Sequence, residues 1–212
     1  MKAVIFDLDG VVVFTDAYHY RAWKQLSDEM GWAFDETLND QLRGVSRMAS
    51  LQIILDHNSL ELPEDEKERY ATIKNGYYKD LLETIDESAL VPGAIDFIRA
   101  LRNSGLKTGL GSSSRNAGTV LTKLGIEPLF DAVITGNEIT RSKPDPQIFL
   151  LVAEKLALEP ASCAVFEDAP SGVEAANNGG FFSVGFGPTP GLDAADLLVP
   201  DYGGVQPERF LG

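Results

Sequence analysis

The fold is decided by the stretch Val4-Ile5-Phe6-Asp7-Leu8-Asp9-Gly10. The apolar run up to Phe6 is typical of a buried parallel strand, because β-branched and aromatic residues without polar alternation fit a sheet that is covered on both faces. Asp7 follows this run directly, and ligands of α/β sheets bind at the carboxyl ends of the strands. Asp9 points roughly the same way if the extended backbone continues. The stretch therefore predicts two carboxylates that face a ligand site.

Two carboxylates this close repel each other unless a cation, a proton or strong hydrogen-bond donors offset the repulsion. Such a pair suits phosphoryl transfer. Mg²⁺ prefers hard oxygen ligands, one carboxylate can attack phosphorus to give an aspartyl phosphate, and the other can move protons. The alternative is a strand that ends in two solvated acids.

The composition excludes several classes of protein. With 212 residues and a net charge of −14, the chain suits neither a nucleic-acid backbone nor an anionic membrane as partner. The single cysteine, Cys163, excludes an intramolecular disulfide and fits a reducing compartment. No signal peptide precedes the first strand, and no apolar run reaches the ~20 residues of a membrane span. We expect a cytoplasmic monomer that binds a small molecule.

Helical patterns without strands follow the acidic pair. They cover residues 15–30, 39–42, 50–56 and 63–82. Thr15 or Asp16 is the expected N-cap of the first helix, and Gly31 is its expected end. The whole segment, residues 15–88, is predicted to be an all-helical cap domain, called here the helical insert, in position to cover the carboxylates.

Strands and helices alternate after the helical insert. Strands are predicted at residues 107–111, 131–135, 162–166 and 181–185. Repeated strand–helix units with short connections predict an α/β fold with a doubly wound parallel sheet and right-handed crossovers. The first strand belongs to the same sheet, so we predict a catalytic core made of residues 1–14 and 89–212.

Small hydrogen-bond donors follow the strand at 107–111. The cluster is Ser112, Ser113, Ser114, Arg115 and Asn116. Hydroxyls and backbone N–H groups at the start of a helix, together with the positive end of the helix dipole, favour a bound anion. An ordinary N-cap and loop, with the arginine on the surface, is the alternative.

Two further strand ends carry charged residues. Lys143, fixed before Pro144, could neutralise both a transferring phosphate and the Asp7 carboxylate, or it could be a surface lysine. Asp168, which follows Glu167, could complete an oxygen shell for Mg²⁺ with Asp7 and a backbone carbonyl at Asp9, or it could cap a helix. Candidate site residues follow several strands of one sheet, and such a combination is much less expected by chance than any one of them. This favours the functional interpretation.

These four groups resemble, in order and spacing, the motifs of the haloacid dehalogenase-like hydrolase superfamily. The matching residues are Asp7-Leu8-Asp9-Gly10, Ser112, Lys143-Pro144 and Glu167-Asp168. The resemblance implies a Rossmann-like core with a cap, a nucleophilic Asp7, and a metal ion held by Asp7, Asp9, Glu167 and Asp168. The second aspartate points to phosphatases and phosphomutases.

The helical insert is similar to the cap of the β-phosphoglucomutase family. The similarity lies in residues 18–24, 44–47 and 50–55. It implies an isomerase that converts β-D-glucose 1-phosphate to D-glucose 6-phosphate through phospho-Asp7, with one Mg²⁺ per subunit and glucose 1,6-bisphosphate as primer and intermediate. The alternatives are a sugar-phosphate phosphatase with the same core and a non-catalytic sugar-phosphate sensor.

The same resemblance implies the substrate-binding residues. For the transferring phosphate they are Ser112, Ser113 and Lys143. For the second phosphate they are Arg47, Ser114, Arg115 and Asn116. The remaining ones, at the hinge, in the cap loop or closing on the sugar, are Thr15, His19, Trp23, Gly44, Val45 and Lys74. Phe14 and Met48-Ala49 depart from the pattern and bear on sugar preference.

Overall fold

The computed structural model describes residues 1–211, whose centre is a six-stranded parallel sheet. The spatial order of the strands is β3-β2-β1-β4-β5-β6. In chain order the strands are β1 Ala3–Phe6, β2 Lys107–Ser112, β3 Ala132–Thr135, β4 Cys163–Glu167, β5 Phe182–Phe186 and β6 Leu197–Val199. β1 is fully buried and pairs with β2 and β4, so its carboxyl end lies at the middle of the sheet edge.

Helices cover both faces of the sheet. In chain order they are α1 Asp16–Met30, α2 Glu36–Asp40, α3 Arg47–His57, α4 Glu64–Leu82, α5 Ala94–Asn103, α6 Ala117–Lys123, α7 Gln147–Leu156 and α8 Pro170–Asn178. Val4 and Phe6 of β1 pack in the same core cluster as residues of α5 and α6, whereas Ala3 and Ile5 pack with α7 and α8. The alternation of side chains along a strand explains this division, and the predicted doubly wound fold is confirmed.

Helices α1 to α4 have a hydrophobic core of their own, which includes Trp23, Leu26, Leu51 and Ile54. The chain passes between sheet and insert through two segments that run side by side. The Phe14 N–H donates to the Ala89 carbonyl over 2.7 Å, and the Val91 N–H donates to Val12 over 3.0 Å. Ala22, Tyr78 and Leu82 of the insert pack in the core cluster of the sheet, so the two parts are in contact. The additional cluster within the insert and the narrow connection support the division at residues 15 and 88, which we propose as the domain boundary.

Two local predictions needed correction, and one strand was not predicted. The short helix expected at 39–42 is α2, Glu36–Asp40, and it begins earlier because the Asp35 carboxylate accepts from the Leu38 N–H over 2.9 Å. α3 begins at Arg47 instead of residue 50, with Ser46 at its N-cap. β6 was not predicted, because three residues with one exposed leucine give no clear strand pattern. Across residues 1–211, the helices are all too short or too polar to cross a membrane.

Candidate active site

A cavity of about 620 Å³ lies between the carboxyl edge of the sheet and the helical insert. Both sides contribute charged and polar side chains to its wall. The predicted site residues on this wall are Asp7, Asp9, His19, Trp23, Gly44, Val45, Arg47, Lys74, Ser113, Ser114, Arg115, Asn116 and Asp168. The four other predicted residues, Thr15, Ser112, Lys143 and Glu167, are buried behind the wall and support it.

Asp7 is held by a buried lysine. Lys143 Nζ donates to Asp7 Oδ1 over 2.5 Å and also to Glu167 Oε1. Burial alone would disfavour the ammonium, but the two carboxylates outweigh it and raise the pKa of Lys143 above its ordinary value. The lysine is therefore a buried cation beside Asp7, and the surface alternative for Lys143 is wrong.

Glu167 fixes that lysine from behind. Its second oxygen, Oε2, accepts from the Ala169 N–H over 2.9 Å, so each carboxylate oxygen has a protein donor. The carboxylate also lies where a side chain on Gly172 would have to be, which leaves room only for glycine. Burial raises the pKa of Glu167 to about 6 against the opposing effect of Lys143. The geometry fits a lysine anchor, and a metal-ligand role for Glu167 stays a prediction.

Asp9 accepts from two hydroxyls. Thr15 Oγ1 donates to Asp9 Oδ1, and Ser112 Oγ lies 3.5 Å from Oδ2. Thr15 occupies the N-cap position of α1, but its side chain caps no backbone N–H because it serves Asp9. Burial, followed by the nearby Asp7 charge, raises the pKa of Asp9 to about 7. A carboxyl group with these neighbours can carry a proton near neutral pH.

Asp168 meets the turn that follows Asp9. Gly10 has a φ of +80°, and a Cβ there would collide with the Asp168 carboxylate. Arg43 of the insert donates from Nη1 to Asp16 Oδ2 over 2.8 Å and lies 3.6 Å from Asp168 Oδ2. Burial and the charges of Glu167 and Asp7 hold the pKa of Asp168 well above its usual range.

The donor set fits Mg²⁺. Asp7, Asp9, Asp16 and Asp168 all line the cavity, and the burial and mutual repulsion that raise the pKa of Asp9 and Asp168 mark an excess of negative charge. Within residues 1–211 no group of three or more His, Cys, Asp or Glu side chains is arranged to hold a metal ion by itself. Mg²⁺ does not require one, because it is bound through one or two carboxylates and keeps waters and substrate phosphates as its other ligands.

The donor cluster after β2 joins the core to the insert. The Ser114 N–H donates to Ser112 Oγ over 3.2 Å, which places this hydroxyl beside both the cluster and Asp9. Ser113 Oγ lies 3.4 Å from the Gly44 carbonyl, and Asn116 Nδ2 donates to Asn75 Oδ1 over 2.8 Å. These two contacts cross the cavity mouth.

The insert supplies positive charge opposite the carboxylates. Arg47 is the first residue of α3, and burial together with the nearby Arg115 lowers the pKa of Arg47. Lys74 Nζ lies 2.9 Å from His19 Nδ1, and the imidazole stacks on Tyr78 with the ring centroids 4.1 Å apart. Burial and, second to it, the Lys74 charge lower the pKa of His19 well below its ordinary value. The structure therefore brings the predicted arginines and the His19–Lys74 pair into one cavity.

Sequence reasoning missed several residues of the site. Arg43, Asp16 and Asn75 all line the cavity and connect its two sides. These residues are near Arg47, Thr15 and Lys74 in sequence, which could have indicated a place in the site. Single polar residues on helices and loops are usually solvated, however, so they were not predicted. Of the residues that depart from the family pattern, Met48 lines the cavity, whereas Phe14 lies outside it and is half exposed.

A doubly wound sheet with an acidic, helix-covered site at its carboxyl edge places this chain among the α/β enzymes. Residues 1–180 match the family model for haloacid dehalogenase-like hydrolases. The chain therefore belongs to the haloacid dehalogenase-like hydrolase family.

Two relatives and one crystal structure indicate what this chain is similar to within the family. The chain is 40% identical over 201 residues to a β-phosphoglucomutase of Bacillus subtilis, which spans 94% of this chain and 89% of the relative. It is 35% identical over 185 residues to a phosphorylated carbohydrates phosphatase of Thermotoga maritima, covering 85% and 82%. The crystal structure of a β-phosphoglucomutase from Clostridium difficile superposes with a TM-score of 0.93 at 38% identity, covering 99% of this chain and 95% of that one.

Proposed function

We propose that this enzyme interconverts β-D-glucose 1-phosphate and D-glucose 6-phosphate through an aspartyl phosphate on Asp7. The observation that carries the proposal is the presence of two cationic groups at one cavity. Lys143 donates to Asp7 from behind the cavity wall, and Arg47 of the insert and Arg115 of the core both line the cavity. A mutase needs two anion sites because its intermediate is a bisphosphate. The similarity to two β-phosphoglucomutases supports the choice of sugar.

The first half-reaction takes place at the tip of β1. An Asp7 carboxylate oxygen attacks phosphorus, and the bond from phosphorus to the sugar oxygen breaks. Lys143, which donates to Asp7, faces the oxygens of the transferring phosphate, assisted by Ser112 and the Ser113 N–H. Asp9, oriented by Thr15 and Ser112, gives its proton to the departing sugar oxygen.

The second half-reaction reverses these roles. The 6-hydroxyl of β-glucose 1-phosphate loses its proton to Asp9 and attacks the phosphorus of phospho-Asp7, which restores the free carboxylate and gives glucose 1,6-bisphosphate. Asp7 then attacks the phosphorus at C1 of this bisphosphate by the first half-reaction, which releases glucose 6-phosphate and forms phospho-Asp7 again. Glucose 1,6-bisphosphate is thus both the intermediate and the primer. While one phosphate reacts, Arg47, Ser114, Arg115 and Asn116 hold the other, and the arginines suit this role through their planar bidentate forks.

The carboxylates of Asp7 and Asp168 and the backbone carbonyl of Asp9 are the proposed ligands of one Mg²⁺. When bound, this ion would neutralise charge on the phosphoryl oxygens and on the carboxylates around them. His19, Trp23, Gly44, Val45 and Lys74 line the insert side, where they would contact the sugar and exclude water from phospho-Asp7. We infer a cytoplasmic enzyme that acts as a monomer, with a sugar phosphate as its partner.

A sugar-phosphate phosphatase is the second candidate. The 35% identity to a phosphorylated carbohydrates phosphatase favours it, and the same core could direct water at phospho-Asp7 with Asp9 as the base. The difference between the two activities lies in what reaches the phosphoenzyme first, a sugar hydroxyl or water.

A ³¹P NMR time course tests the proposal. The enzyme is mixed with β-glucose 1-phosphate, Mg²⁺ and a trace of glucose 1,6-bisphosphate. Glucose 6-phosphate as the product supports the mutase. Free phosphate that accumulates in its place supports the phosphatase, and binding without turnover supports a sensor.

The Arg47→Met variant tests the second phosphate site. We expect mutase turnover to fall by at least about 10²-fold, while hydrolysis of a small aryl phosphate, which has no second phosphate, changes little. Arg21→Met, an exposed arginine on the same insert, is the matched control and should change neither rate. Equal losses in both assays for Arg47→Met would contradict the second-phosphate role.

A further inference from the structure

Lys74 is a buried lysine without an ion-pair partner. Its side chain projects from α4 into the cavity wall and is only 2% exposed. Nζ lies 2.9 Å from His19 Nδ1 and 4.9 Å from the ring centroids of both Trp23 and Tyr78. Within residues 1–211 the lysines in salt bridges are Lys24, Lys67, Lys123 and Lys143.

These surroundings favour a neutral amine. Burial, followed by the nearby Arg47 charge, lowers the pKa of Lys74 to about 7. The two aromatic faces and the charge of Asp9 favour the ammonium form, but they are weaker than the burial and the Arg47 charge, and neither replaces the direct ion pair that a buried lysine usually has. An amine that is unprotonated near neutral pH is a nucleophile toward carbonyl carbon.

Two arginines of the same cavity also lack carboxylate partners. The arginines in salt bridges within the described chain are Arg43, Arg99, Arg102 and Arg141. Arg47 and Arg115 form none, line the cavity and are close enough for Arg115 to lower the pKa of Arg47. A phosphate monoester would relieve this repulsion, so the cavity combines a phosphate site with a nucleophilic amine.

We propose that Lys74 is a covalent capture site for small phosphorylated aldehydes, whose phosphate binds Arg47 and Arg115 while the aldehyde forms an imine with Nζ. Open-chain aldose phosphates belong to this class. The captured molecule would occupy the space of the sugar and inhibit the enzyme reversibly. The phosphate part of this site is the second-phosphate site of the proposed function, and the inference rests on it there. Imine formation on Nζ requires no turnover, so the two proposals can fail separately.

The reaction requires no oxidant or reductant. The amine lone pair adds to the carbonyl carbon, and the carbonyl oxygen leaves as water with the two hydrogens of the amine. The product is a C=N bond. His19 Nδ1, which is within hydrogen-bond distance of Nζ, takes the amine proton during addition and returns it to the leaving hydroxyl.

Reductive labelling of the full chain tests the proposal. The protein is incubated with pyridoxal 5′-phosphate, the imine is reduced with sodium borohydride, and labelled peptides are mapped by mass spectrometry. We expect Lys74 to be labelled at least about tenfold faster than the exposed Lys79 on the same helix. Phosphate-free pyridoxal should label Lys74 at least about tenfold more slowly than the phosphorylated reagent.

Two variants sharpen the test. Arg47→Met should slow labelling by pyridoxal 5′-phosphate and leave labelling by pyridoxal unchanged, whereas Lys74→Met should remove the label from this peptide. The map on the native protein decides the matter even if a variant fails to fold. Labelling of Lys79 as fast as Lys74, or an equal rate with and without the phosphate, would overturn the proposal. Turnover is not measured, so a failed mutase assay leaves this result unaffected.

Discussion

Lys143 and Lys74 are two buried lysines on opposite sides of one cavity, and their charges are controlled in opposite ways. Lys143, on the sheet side, donates to Asp7 and Glu167, and these carboxylates raise its pKa. Lys74, on the insert side, faces His19, two aromatic rings and Arg47, and its pKa falls to about 7. Burial penalises both ammonium groups, so the neighbouring groups decide the difference.

This contrast separates two tasks. The sheet side holds a cation against Asp7, anchored from behind by Glu167. The insert side holds an amine whose pKa lies near neutral pH. In the proposed mechanism, chemistry at phosphorus takes place on the sheet side, and the rest of the substrate contacts the insert side. Four substitutions test this division, beginning with the largest expected effect.

Asp7→Asn should abolish the chemistry on the sheet side. The amide cannot form an acyl phosphate, and we expect turnover to fall by at least about 10³-fold. The measurement is the rate of glucose 6-phosphate formation, together with phosphate incorporation into the protein by mass spectrometry. Asp96→Asn, at an exposed aspartate of α5, is the control. Retained turnover in Asp7→Asn would remove the basis of the proposed mechanism.

Lys143→Met should destabilise the folded state strongly. It leaves the buried carboxylates of Asp7 and Glu167 facing each other without their cation, at a cost of about 3–5 kcal/mol in the free energy of unfolding. Urea denaturation in the presence of a chelator measures this change. The exposed pair of Lys24 with Asp28 provides the control, because Lys24→Met should cost less than about 1 kcal/mol. Equal losses of stability in the two variants would show that the ion pairs of Lys143 contribute no more than an exposed ion pair.

Lys74→Met should stabilise the folded state, in contrast to Lys143→Met. Replacing a buried, unpaired amine by an apolar group of similar length should raise the free energy of unfolding by about 1–4 kcal/mol at pH 7. The pKa of the amine is 10.5 unfolded and about 7 folded, so between these values the unfolded state binds more protons and the native protein gains stability as pH rises. The advantage of the variant should therefore shrink from pH 7 toward pH 10.5.

Urea denaturation at several pH values measures this effect. Lys79→Met, at an exposed position of the same helix, is the matched control and should show no such trend. A variant that is less stable than the native protein at pH 7, or an advantage that grows with pH, would contradict the assignment of Lys74 as a destabilised amine.

Asn75→Ala should have the smallest effect. It removes the hydrogen bond from Asn116 across the cavity mouth, which is worth about 0.5–1.5 kcal/mol in the free energy of unfolding. Chemical denaturation of the variant beside Asn103→Ala, at an exposed asparagine of α5, measures the difference. If both variants are as stable as the native protein, the contact does not join the two sides.

The sequence predicts the sheet well because its strands are short apolar runs that are followed by charged or polar residues. Asp7 directly follows β1, Asp168 directly follows β4, and Lys143 lies in the loop after β3. Because the carboxyl ends of parallel strands meet at one edge of the sheet, the topology alone brings these residues together. By contrast, α2 was misplaced, because the Asp35 cap is one acid among many, and β6 carries too little pattern to be recognised.

The contact of Lys143 with Asp7 was predicted, but the other long-range side-chain contacts of the site were not. The family resemblance implied a metal-ligand role for Glu167, which stays a prediction. The contact of its side chain with Lys143, which is 24 residues away in sequence, was not predicted. The bridge from Arg43 to Asp16 and Asp168 depends on how the insert sits over the sheet. Such pairings depend on packing, and side-chain packing leaves no periodic trace in a single sequence.

The two connecting segments at residues 12–14 and 89–91 are held together by backbone hydrogen bonds, so the helical block enters and leaves the core at almost the same point. A block of different length or shape could be spliced in at this junction without moving the first strand. Exchange of the block would then alter which sugar is accepted and how well water is kept out, while the apparatus that handles phosphorus is inherited unchanged.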